Sequence, residues 1–594
     1  MSPVPMPSQD VLDRFFPAVR PGPAAGVFEL GLVLGGTVSA GAYTAGALDF
    51  LLEALEAWHA QARPPHQVRI PFVAGASGGA ICAAILGLLS RKAVPHITGM
   101  DSPYVRNAAP SGNKLWDVWV NEIDASGLLA TDDLRGAPVE SLINCRPLDR
   151  VVDEMAAFGR ASGDFDRPYF PAPYRMAVTL GNMRGIPFRL DVPGFDGWNG
   201  AAFLAHDDFA RFAIPNGASP EAGGEAGKRP DEFWVDPGLV GQGADFVGYD
   251  TYALFAAGSA AFPVGLKARA LSRPAEHYLY RPHVQPRQSG YRVDWPSPDW
   301  ANVLDPGSTR YAFSAIDGGT FNNDPMQLVH RALAGLVGEN PRDPATATRA
   351  LFMIDPLATR PARVPAVPTD LMGVVGGLLG TMTEGTRYLT ADMALLGDPK
   401  VFSRYQLVPS RPDLGLLGEQ ALTTAHLMAF AGFCARGFRV HDFLLGRINM
   451  QQYLRTELML RGDNPLFAGW TDPGLRSRFA LDGENRRVNV TATTDPASYD
   501  LPIIPDLSYD GEGPIAAQPN TQMLPWPTGA LDPAPLRDAV DARIDAIIEA
   551  LRRQEMPGLV SWALGGMFEP AIARSVTGRL IDGLTTSLRR AKLL

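Results

Sequence analysis

The octapeptide Val73-Ala74-Gly75-Ala76-Ser77-Gly78-Gly79-Ala80 follows an apolar, strand-like run and opens an apolar, helix-like one. It contains a G-x-S-x-G pattern at Gly75, Ser77 and Gly79. Small residues around the serine permit a sharp strand-to-helix turn, which exposes the hydroxyl and aims the N-terminus of the following helix at it. Ser77 is therefore a candidate nucleophile, with Gly75 and Gly79 as its elbow. The same pattern also occurs in Gly-rich loops that carry no chemistry, so it needs support from other residues.

The order strand, glycine turn, helix occurs twice around this octapeptide. Residues 28–34 are predicted as a buried strand, 35–41 as a tight loop and 42–58 as a helix, and residues 70–74, 75–79 and 80–89 repeat this order. Further strands are predicted at 175–180, 188–191, 311–316 and 350–354. Alternation of strands and helices over this length predicts an α/β domain with a mainly parallel central sheet.

The same pattern divides the chain into three parts. Residues 1–27 are Pro-rich and predicted as an irregular leader, 28–356 as the domain that carries Ser77, and 357–594 as a mostly helical region. Helical tracts are predicted there at 371–396, 417–445 and 535–553. Within the domain, residues 214–248 and 272–307 are rich in turn-forming residues and are predicted as long surface loops.

The C-terminal tail has the pattern of one more amphipathic helix. Leu580, Ile581, Leu584 and Leu588 can share one face, and the rest of the tail carries several arginines and Lys592. Such a helix can lie on an anionic membrane surface, or it can pack on the protein with its basic face in solvent. The sequence is compatible with both, so peripheral membrane contact is one of two interpretations.

Composition restricts the classes of partner and cofactor. The 594 residues are 46% apolar and 20% charged, which is ordinary for a globular protein, and the formal net charge of −10 argues against nucleic-acid binding. Cys82, Cys145 and Cys434 are widely spaced and predict neither a disulfide framework nor a metal site. The N-terminus lacks the order of a secretory signal, so a cytoplasmic protein is expected. The residues indicate no cofactor. The sequence does not indicate an oligomeric state.

A glycine-containing loop after the first predicted strand can supply oxyanion donors. Residues 35–41 read Gly-Gly-Thr-Val-Ser-Ala-Gly and lead directly into a helix. The backbone N–H groups of Gly36, Thr37 and Val38 are therefore expected to converge at a helix N-terminus, as an oxyanion hole requires. A phosphate-binding loop is the alternative, but neither the Walker A pattern nor G-x-G-x-x-G spacing is present.

The candidate base lies at the end of a later predicted strand. Residues 314–325 read Ser-Ala-Ile-Asp-Gly-Gly-Thr-Phe-Asn-Asn-Asp-Pro, which places Asp317 before two glycines. Without side chains at 318 and 319, the carboxylate can approach another loop closely. Asp-Gly-Gly also forms ordinary turns. The combination of the elbow, the upstream loop and this strand-end aspartate, in this order, favours a catalytic role.

These parts together resemble the patatin-like phospholipases, a family of lipid acyl hydrolases with a three-layer α/β/α fold and a Ser-Asp dyad. By that resemblance Ser77 would be the nucleophile and Asp317 the base. Residues 141–148 and 256–263, the latter ending in Phe-Pro, also match family segments, so the resemblance covers about residues 28–333. Residues 441–449 are similar to a bacterial subgroup with an extended C-terminal helical part. Within them, Arg447 could bind a lipid headgroup or satisfy helix ends.

One departure from the family's first loop bears on the substrate. The family has three successive glycines and then an arginine before the last glycine, whereas Ala40 stands at the arginine position here. Backbone donors at Thr37 and Val38 survive this change, but one positive charge near the site is lost. The resemblance therefore implies acyl-ester hydrolysis, and the missing charge weakens the case for a phosphate-bearing substrate and leaves neutral esters open.

Two other functions remain open. An esterase of the α/β-hydrolase type would use a Ser-Asp-His triad, for which His330, His426 and His441 follow Asp317 in the required order. The altered glycine loop is compatible with a lipid-binding or interaction protein that has lost turnover. The sequence leaves headgroup and acyl-chain preference undetermined.

Overall fold

The structure is a computed structural model that describes residues 4–190, 201–301, 303–358, 404–426, 429–509, 524–553 and 570–594. The strands in these ranges are β1 Val27–Leu34, β2 Gln67–Arg69, β3 Val73–Gly75, β4 Tyr174–Leu190, β5 Ala201–Ile214, β6 Glu232–Val235, β7 Phe246–Val247, β8 Arg269–Pro274, β9 His283–Pro286, β10 Tyr291–Asp294, β11 Arg310–Asp317, β12 Arg349–Ile354, β13 Arg404–Leu407, β14 Ser410–Arg411, β15 Leu416–Leu417, β16 Met459–Arg461 and β17 Asp500–Pro502.

The α-helices are α1 Gln9–Phe15, α2 Gly41–His59, α3 Gly78–Leu89, α4 Pro103–Asn107, α5 Lys114–Trp116, α6 Ala125–Leu128, α7 Arg146–Arg160, α8 Tyr249–Ser259, α9 Met326–Ala334, α10 Arg436–Thr456, α11 Pro473–Phe479, α12 Pro533–Arg553 and α13 Pro570–Arg590. Both α2 and α3 begin directly after a strand and a short turn, as the two glycine-containing loops predict. Short 3-10 turns connect several other elements, among them Val38–Ala40 and Gly318–Thr320.

Eleven strands form one central sheet in the described residues. Its main path is β13-β12-β1-β3-β4-β5-β6-β7, with β2 beside β1, β11 beside β4, and β8 beside β11. The pairs β1·β12, β1·β2, β1·β3, β12·β13, β3·β4, β5·β6 and β6·β7 are parallel, whereas β4·β5, β4·β11 and β8·β11 are antiparallel. The predicted α/β fold with a mainly parallel sheet is confirmed.

Alternating side chains of the sheet pack on two separate helical layers. In β1, Leu32 and Leu34 belong to the large core that includes α2 and α3. Val33, between them, packs with α9 in a second cluster that also contains Leu351 and Met353 of β12. Because neighbouring residues of a strand point to opposite faces, α9 covers the other face of the sheet. The arrangement is a three-layer α/β/α sandwich.

Of the elements predicted in the first 90 residues, 28–34, 42–58 and 80–89 are found as β1, α2 and α3. The strand predicted at 70–74 is found only from residue 73, as β3, and the leader predicted as irregular contains the helix α1. The later half of the sheet is larger than predicted. The strands expected at 175–180 and 188–191 are one long strand, β4, and its partner β5 was not predicted. Two strands, β6 and β7, lie within the expected loop 214–248, and β9 and β10 form a hairpin within 272–307. All four residues of β6 are buried. This short strand therefore belongs to the sheet, although the residues around it have the composition of a loop.

Residues beyond 356 join the same sheet and core. Strand β13 pairs in parallel with β12, and α10 packs on α2 so closely that a Cβ at Gly46 would lie 1.8 Å from the carbonyl oxygen of Phe443. Arg447 of α10 forms ion pairs with Asp49 and Glu53 of α2. The boundary at 356 stays a prediction, but described residues on its two sides share one hydrophobic core.

The predicted helical tracts after 356 have different outcomes. The tract 371–396 lies outside the described residues. In 417–445, the helix begins only at Arg436 and is preceded by short 3-10 turns. The tract 535–553 corresponds to α12, and the tail forms α13. Leu584 and Leu588 of α13 are buried against Ala431 and Phe438, so this face of the tail packs on the protein.

Candidate active site

Strand register brings the three predicted parts of the site to one level of the sheet. Gly75, the last residue of β3, is opposite Val178 of β4, and Asp317, the last residue of β11, is opposite Leu180 of β4. Ser77 follows Gly75 by the same two residues that separate Val178 from Leu180. Ser77 and Asp317 therefore meet across β4. Leu34, at the end of β1, is opposite Gly75, so the 35–41 loop starts at the same edge.

Ser77 occupies a strained strand-to-helix turn. Its backbone has φ 53° and ψ −128°, a conformation that non-glycine residues rarely adopt. The neighbouring glycines allow close backbone contacts: a Cβ at Gly75 would lie 2.5 Å from the carbonyl oxygen of Gly79, and one at Gly79 would lie 2.2 Å from that of Leu34. The geometry is that of a nucleophile elbow. The amide of Ser77 donates a 3.0 Å hydrogen bond to Ser259 Oγ.

The side chains of Ser77 and Asp317 are hydrogen-bonded directly. Ser77 Oγ donates to Asp317 Oδ2 at 2.6 Å, and the backbone amide of Gly319 donates to Asp317 Oδ1 at 2.7 Å. The backbone amide of Asp317 is in turn bonded to the carbonyl oxygen of Ala261 at 2.8 Å. Burial raises the pKa of the Asp317 carboxyl to about 6, although the two hydrogen bonds from Ser77 and Gly319 oppose the rise. A carboxylate with this pKa is a better proton acceptor near neutral pH than an ordinary aspartate.

The 35–41 loop lies beside Ser77 with free backbone donors. A Cβ at Gly36 would lie 3.4 Å from Cβ of Ser77 and 2.2 Å from Asn323 Oδ1. In the described part of the chain, no hydrogen-bond acceptor contacts the backbone N–H of Gly36, Thr37 or Val38. Val38 has φ 47°, so the loop stores strain where these donors are needed. These features match an oxyanion hole.

The amide of Gly78 is a further donor that the sequence analysis did not include. Gly78 is the first residue of α3, and its N–H has no acceptor among the described residues. Thr37 of the loop packs closely on this residue, because a Cβ at Gly78 would lie 2.1 Å from Thr37 Oγ1. The residue after a nucleophile elbow is a usual oxyanion donor, which is the signal that could have identified it.

A small apolar pocket opens at the dyad. It has a volume of about 50 Å³, and besides Ser77, Asp317, Gly78 and Val38 its described lining is entirely apolar: Ile81, Trp119, Ile123, Leu128, Ile143, Leu148, Ala260, Phe262, Leu266, Phe430 and Phe433. No cationic side chain is among these lining residues. Ala40 is completely buried. The surroundings of Ser77 in the described residues are therefore mainly apolar and uncharged apart from Asp317.

The C-terminal region forms part of the pocket wall and is hydrogen-bonded to the 35–41 loop. Phe430 and Phe433 lie on the pocket wall, and Phe430 contacts Phe262 with ring centroids 6.0 Å apart. The amide of Ser39 donates to the carbonyl oxygen of Ala429 at 3.0 Å. No motif in the sequence marks these residues. These residues reach the pocket because α10 and the turn that precedes it pack against α2.

The three histidines of the alternative triad have other partners. His330 Nε2 contacts the carbonyl oxygen of Gly338, and His426 Nδ1 contacts Ser587 Oγ. His441 lies between Asp442 and Arg411, at 2.7 Å from each. Among the described residues, no histidine nitrogen is hydrogen-bonded to Ser77 or Asp317. The geometry therefore favours a dyad over a triad.

Comparison with known proteins gives one relative and no family. No protein-family model matches the chain. Over 518 residues, covering 80% of this chain and 70% of the relative, the sequence is 27% identical to the uncharacterized protein y4iI of Sinorhizobium fredii. A match of this extent includes residues on both sides of position 356. The name of the relative states no activity, so the function proposed below rests on the site itself.

Proposed function

We propose that this protein hydrolyses carboxylic esters of lipids, as a lipid acyl hydrolase of the phospholipase A, lysophospholipase or esterase type. The observation that carries the proposal is the 2.6 Å hydrogen bond from Ser77 Oγ to Asp317 Oδ2 at a strained strand-to-helix turn. Membership of the patatin-like family is part of the same proposal. The order of the elbow, the glycine loop and the strand-end aspartate along the chain supports it.

The proposed reaction proceeds through an acyl-enzyme. Asp317 accepts the proton of Ser77 Oγ as this oxygen attacks the ester carbonyl, and the backbone N–H groups of Gly36, Thr37 and Val38 bind the resulting oxyanion. The C–O bond to the alcohol then breaks, and the alcohol leaves with the proton held by Asp317. A water molecule, deprotonated by Asp317, attacks the acyl-enzyme and releases the carboxylic acid and free Ser77. None of these reaction steps requires a metal or an organic cofactor.

The pocket favours esters with little negative charge at the reacting end. Its described lining offers apolar and aromatic side chains and no cation, and Ala40 does not supply one. A phosphate close to Ser77 would lie beside the buried Asp317 carboxylate without a compensating charge. We therefore expect neutral acyl esters to be hydrolysed faster than phospholipids of equal chain length.

Cytoplasmic residence and peripheral contact with a lipid surface belong to the proposal. No helix of the described residues is long and apolar enough to cross a bilayer. All three cysteines are unpaired, which is usual in a reducing compartment. The buried face of α13 leaves its arginines Arg589 and Arg590 exposed, and these are available to an anionic surface.

The test uses purified full-length protein and p-nitrophenyl esters of increasing acyl length. Ser77→Ala and Asp317→Asn should each lower kcat by at least 1000-fold, because each removes a member of the dyad. Ser219→Ala, at an exposed loop serine, is the matched control and should retain wild-type activity. A fluorophosphonate probe should label wild type and the control but not Ser77→Ala. Ester hydrolysis by folded Ser77→Ala at the wild-type rate would disprove the proposal.

A further inference from the structure

A second cavity, larger than the catalytic pocket, lies on the other face of the sheet. Its volume is about 360 Å³, within the range of about 300–1000 Å³ typical of small-molecule sites. Phe209 and Arg211 of β5 line it, whereas Phe212 packs on Phe255 of α8. Since alternate residues of β5 face opposite sides, the cavity lies away from α3 and α8. It shares no lining residue with the Ser77 pocket.

The cavity combines many arginines with few carboxylates. Its lining includes six arginines, Arg14, Arg20, Arg211, Arg229, Arg281 and Arg331, and two acidic residues, Asp207 and Glu225. Some of these charges are compensated: Arg20 pairs with Glu29 and Glu225, Arg211 with Asp231, and Arg281 with Asp208. The lining as a whole carries an excess of positive charge.

Arg331 is a partly buried cation of this lining that has no ion pair within the described residues. Its guanidinium donates one long hydrogen bond, 3.4 Å from Nη1 to the carbonyl oxygen of Pro282. No carboxylate among the described residues lies within ion-pair distance of it. Burial, together with the nearby charge of Arg211, lowers the pKa of Arg331 below its usual value. An anion bound between these two arginines would remove an unfavourable interaction that the folded chain otherwise retains.

Aromatic rings hold the guanidinium groups and provide an apolar wall. The guanidinium carbon of Arg281 lies 4.3 Å from the ring centroid of Phe209, and that of Arg211 lies 5.5 Å from the same ring. That of Arg229 lies 5.5 Å from the centroid of Phe16. Stacked arginines are preorganised for anions, and the ring surface of Phe16 and Phe209 that lines the cavity can pack on an apolar body. Both kinds of contact are available to one ligand.

We propose that this cavity binds a small organic anion, whose carboxylate, sulfonate or phosphate group pairs with Arg331 and Arg211 and whose apolar or aromatic body packs on Phe16 and Phe209. The anionic group can accept two parallel hydrogen bonds from a guanidinium fork. This site is independent of the Ser77–Asp317 dyad. The binding function therefore goes beyond the proposed hydrolase activity and does not depend on it.

The test is calorimetric titration of the full-length protein with naphthalene-2-sulfonate. Its neutral analogue naphthalene-2-sulfonamide and inorganic sulfate separate the contributions of charge and apolar body. We expect the sulfonate to bind with one-to-one stoichiometry and at least tenfold more tightly than either comparison compound. Equal affinity for the sulfonamide, or no sulfonate binding at millimolar concentration, would overturn the proposal.

Variants of Arg331 test whether the sulfonate binds in this cavity. Arg331→Met should weaken sulfonate binding at least tenfold, because it removes a charge-assisted hydrogen bond to the anion. It should not lower Tm, because it removes an uncompensated charge. Arg331→Lys retains the charge without the fork and should give an intermediate affinity. Arg63→Met, at an exposed arginine away from the cavity, is the control and should bind as wild type. Unchanged affinity in both Arg331 variants would contradict the assignment.

Discussion

The hydroxyl of Ser259 accepts the backbone N–H of Ser77 at 3.0 Å, at a position where Ser259 is completely buried. Two residues later, the carbonyl oxygen of Ala261 accepts the backbone N–H of Asp317. The end of α8 therefore fixes the backbone of both dyad members. The position of Ser77 relative to Asp317 therefore depends on this segment as well as on the two loops that carry them.

Ser259→Ala should reduce turnover without changing the dyad itself. The amide of Ser77 would lose its acceptor in a buried place, at a cost of about 1–3 kcal/mol. We expect kcat for a p-nitrophenyl ester to fall at least tenfold and KM to change less than threefold. Ser219→Ala provides the reference for a serine without this contact. Wild-type kcat in folded Ser259→Ala would show that the bond to Ser77 does not position the nucleophile.

The pH dependence of hydrolysis should report the ionisation of Asp317. Burial raises the pKa of this carboxyl to about 6, and only its deprotonated form can accept the Ser77 proton. We therefore expect kcat/KM to rise with pH, to reach half its maximum near pH 6, and to be constant between pH 7.5 and 8.5. The measurement is initial-rate kinetics on a substrate that does not ionise. A flat profile between pH 4.5 and 8.5 would contradict the assignment of Asp317 as base.

Asp317→Asn should stabilise the fold at high pH while it abolishes activity. The folded pKa of about 6 exceeds the unfolded value of about 3.9, so the folded state binds the proton more tightly. The stabilisation that this proton gives is complete below pH 4 and is lost as pH rises through about 6. Above pH 7, the ionised carboxyl therefore disfavours the fold by up to roughly 3 kcal/mol.

The thermal unfolding of Asp317→Asn and wild type should differ accordingly. We expect a higher Tm for the variant at pH 8 and similar Tm values at pH 4. A lower Tm of the variant at pH 8 would mean that the carboxylate is stabilised in the fold, against the effect of burial.

Gly79→Ala should destabilise the fold severely. A Cβ there would lie 2.2 Å from the carbonyl oxygen of Leu34 and 2.5 Å from that of Gly35, and backbone atoms cannot move aside as a side-chain end can. We expect a loss of at least about 3 kcal/mol in the free energy of unfolding, measured by urea denaturation. Gly99→Ala is the control, because nothing lies within 4 Å of the added Cβ. Equal stability of the two variants would refute the close contact between α3 and β1.

Arg447→Met distinguishes between the two roles considered for this residue. Arg447 pairs with Asp49 and Glu53, and Asp49 is completely buried, so removal of the cation should cost about 3–5 kcal/mol of stability. Arg537→Met breaks an exposed ion pair with Asp582 and should cost less than about 1 kcal/mol. Thermal unfolding measures both. An unchanged Tm, combined with a selective loss of phospholipid hydrolysis, would support headgroup binding by Arg447.

Local sequence was sufficient to predict the elements that bear the dyad. Ser77 and Asp317 follow apolar strands, and the small residues beside each of them restrict the backbone to the turns that are found. The central strands β1, β3 and β12 are buried on both faces, which produces the continuous apolar runs that sequence analysis detects. Both the turn-forming small residues and the apolar strand pattern are local signals, which can be recognised within a few neighbouring residues of the chain.

The sheet edge and the supporting residues could not be predicted in this way. Strand β5 contains Asp207, Asp208 and Arg211, which interrupt its apolar pattern. The buried Asp208 is paired with Arg273 and Arg281 from other elements. Ser259 and Phe430 reach the site through helix packing. The residues next to them in the sequence do not indicate that they lie near Ser77. Such roles depend on contacts between distant parts of the chain.

The hydrogen bond from Ser39 to Ala429 makes the oxyanion loop sensitive to events in the C-terminal region. If residues 1–358 and 404–594 were produced as separate polypeptides, each would hold only part of the acyl pocket, since Phe262 comes from the first and Phe430 from the second. Ester hydrolysis would then serve as a reporter of their reassociation. If the proposed function is correct, substitutions near Ala429 should lower ester hydrolysis even when the motifs around Ser77 and Asp317 are unchanged.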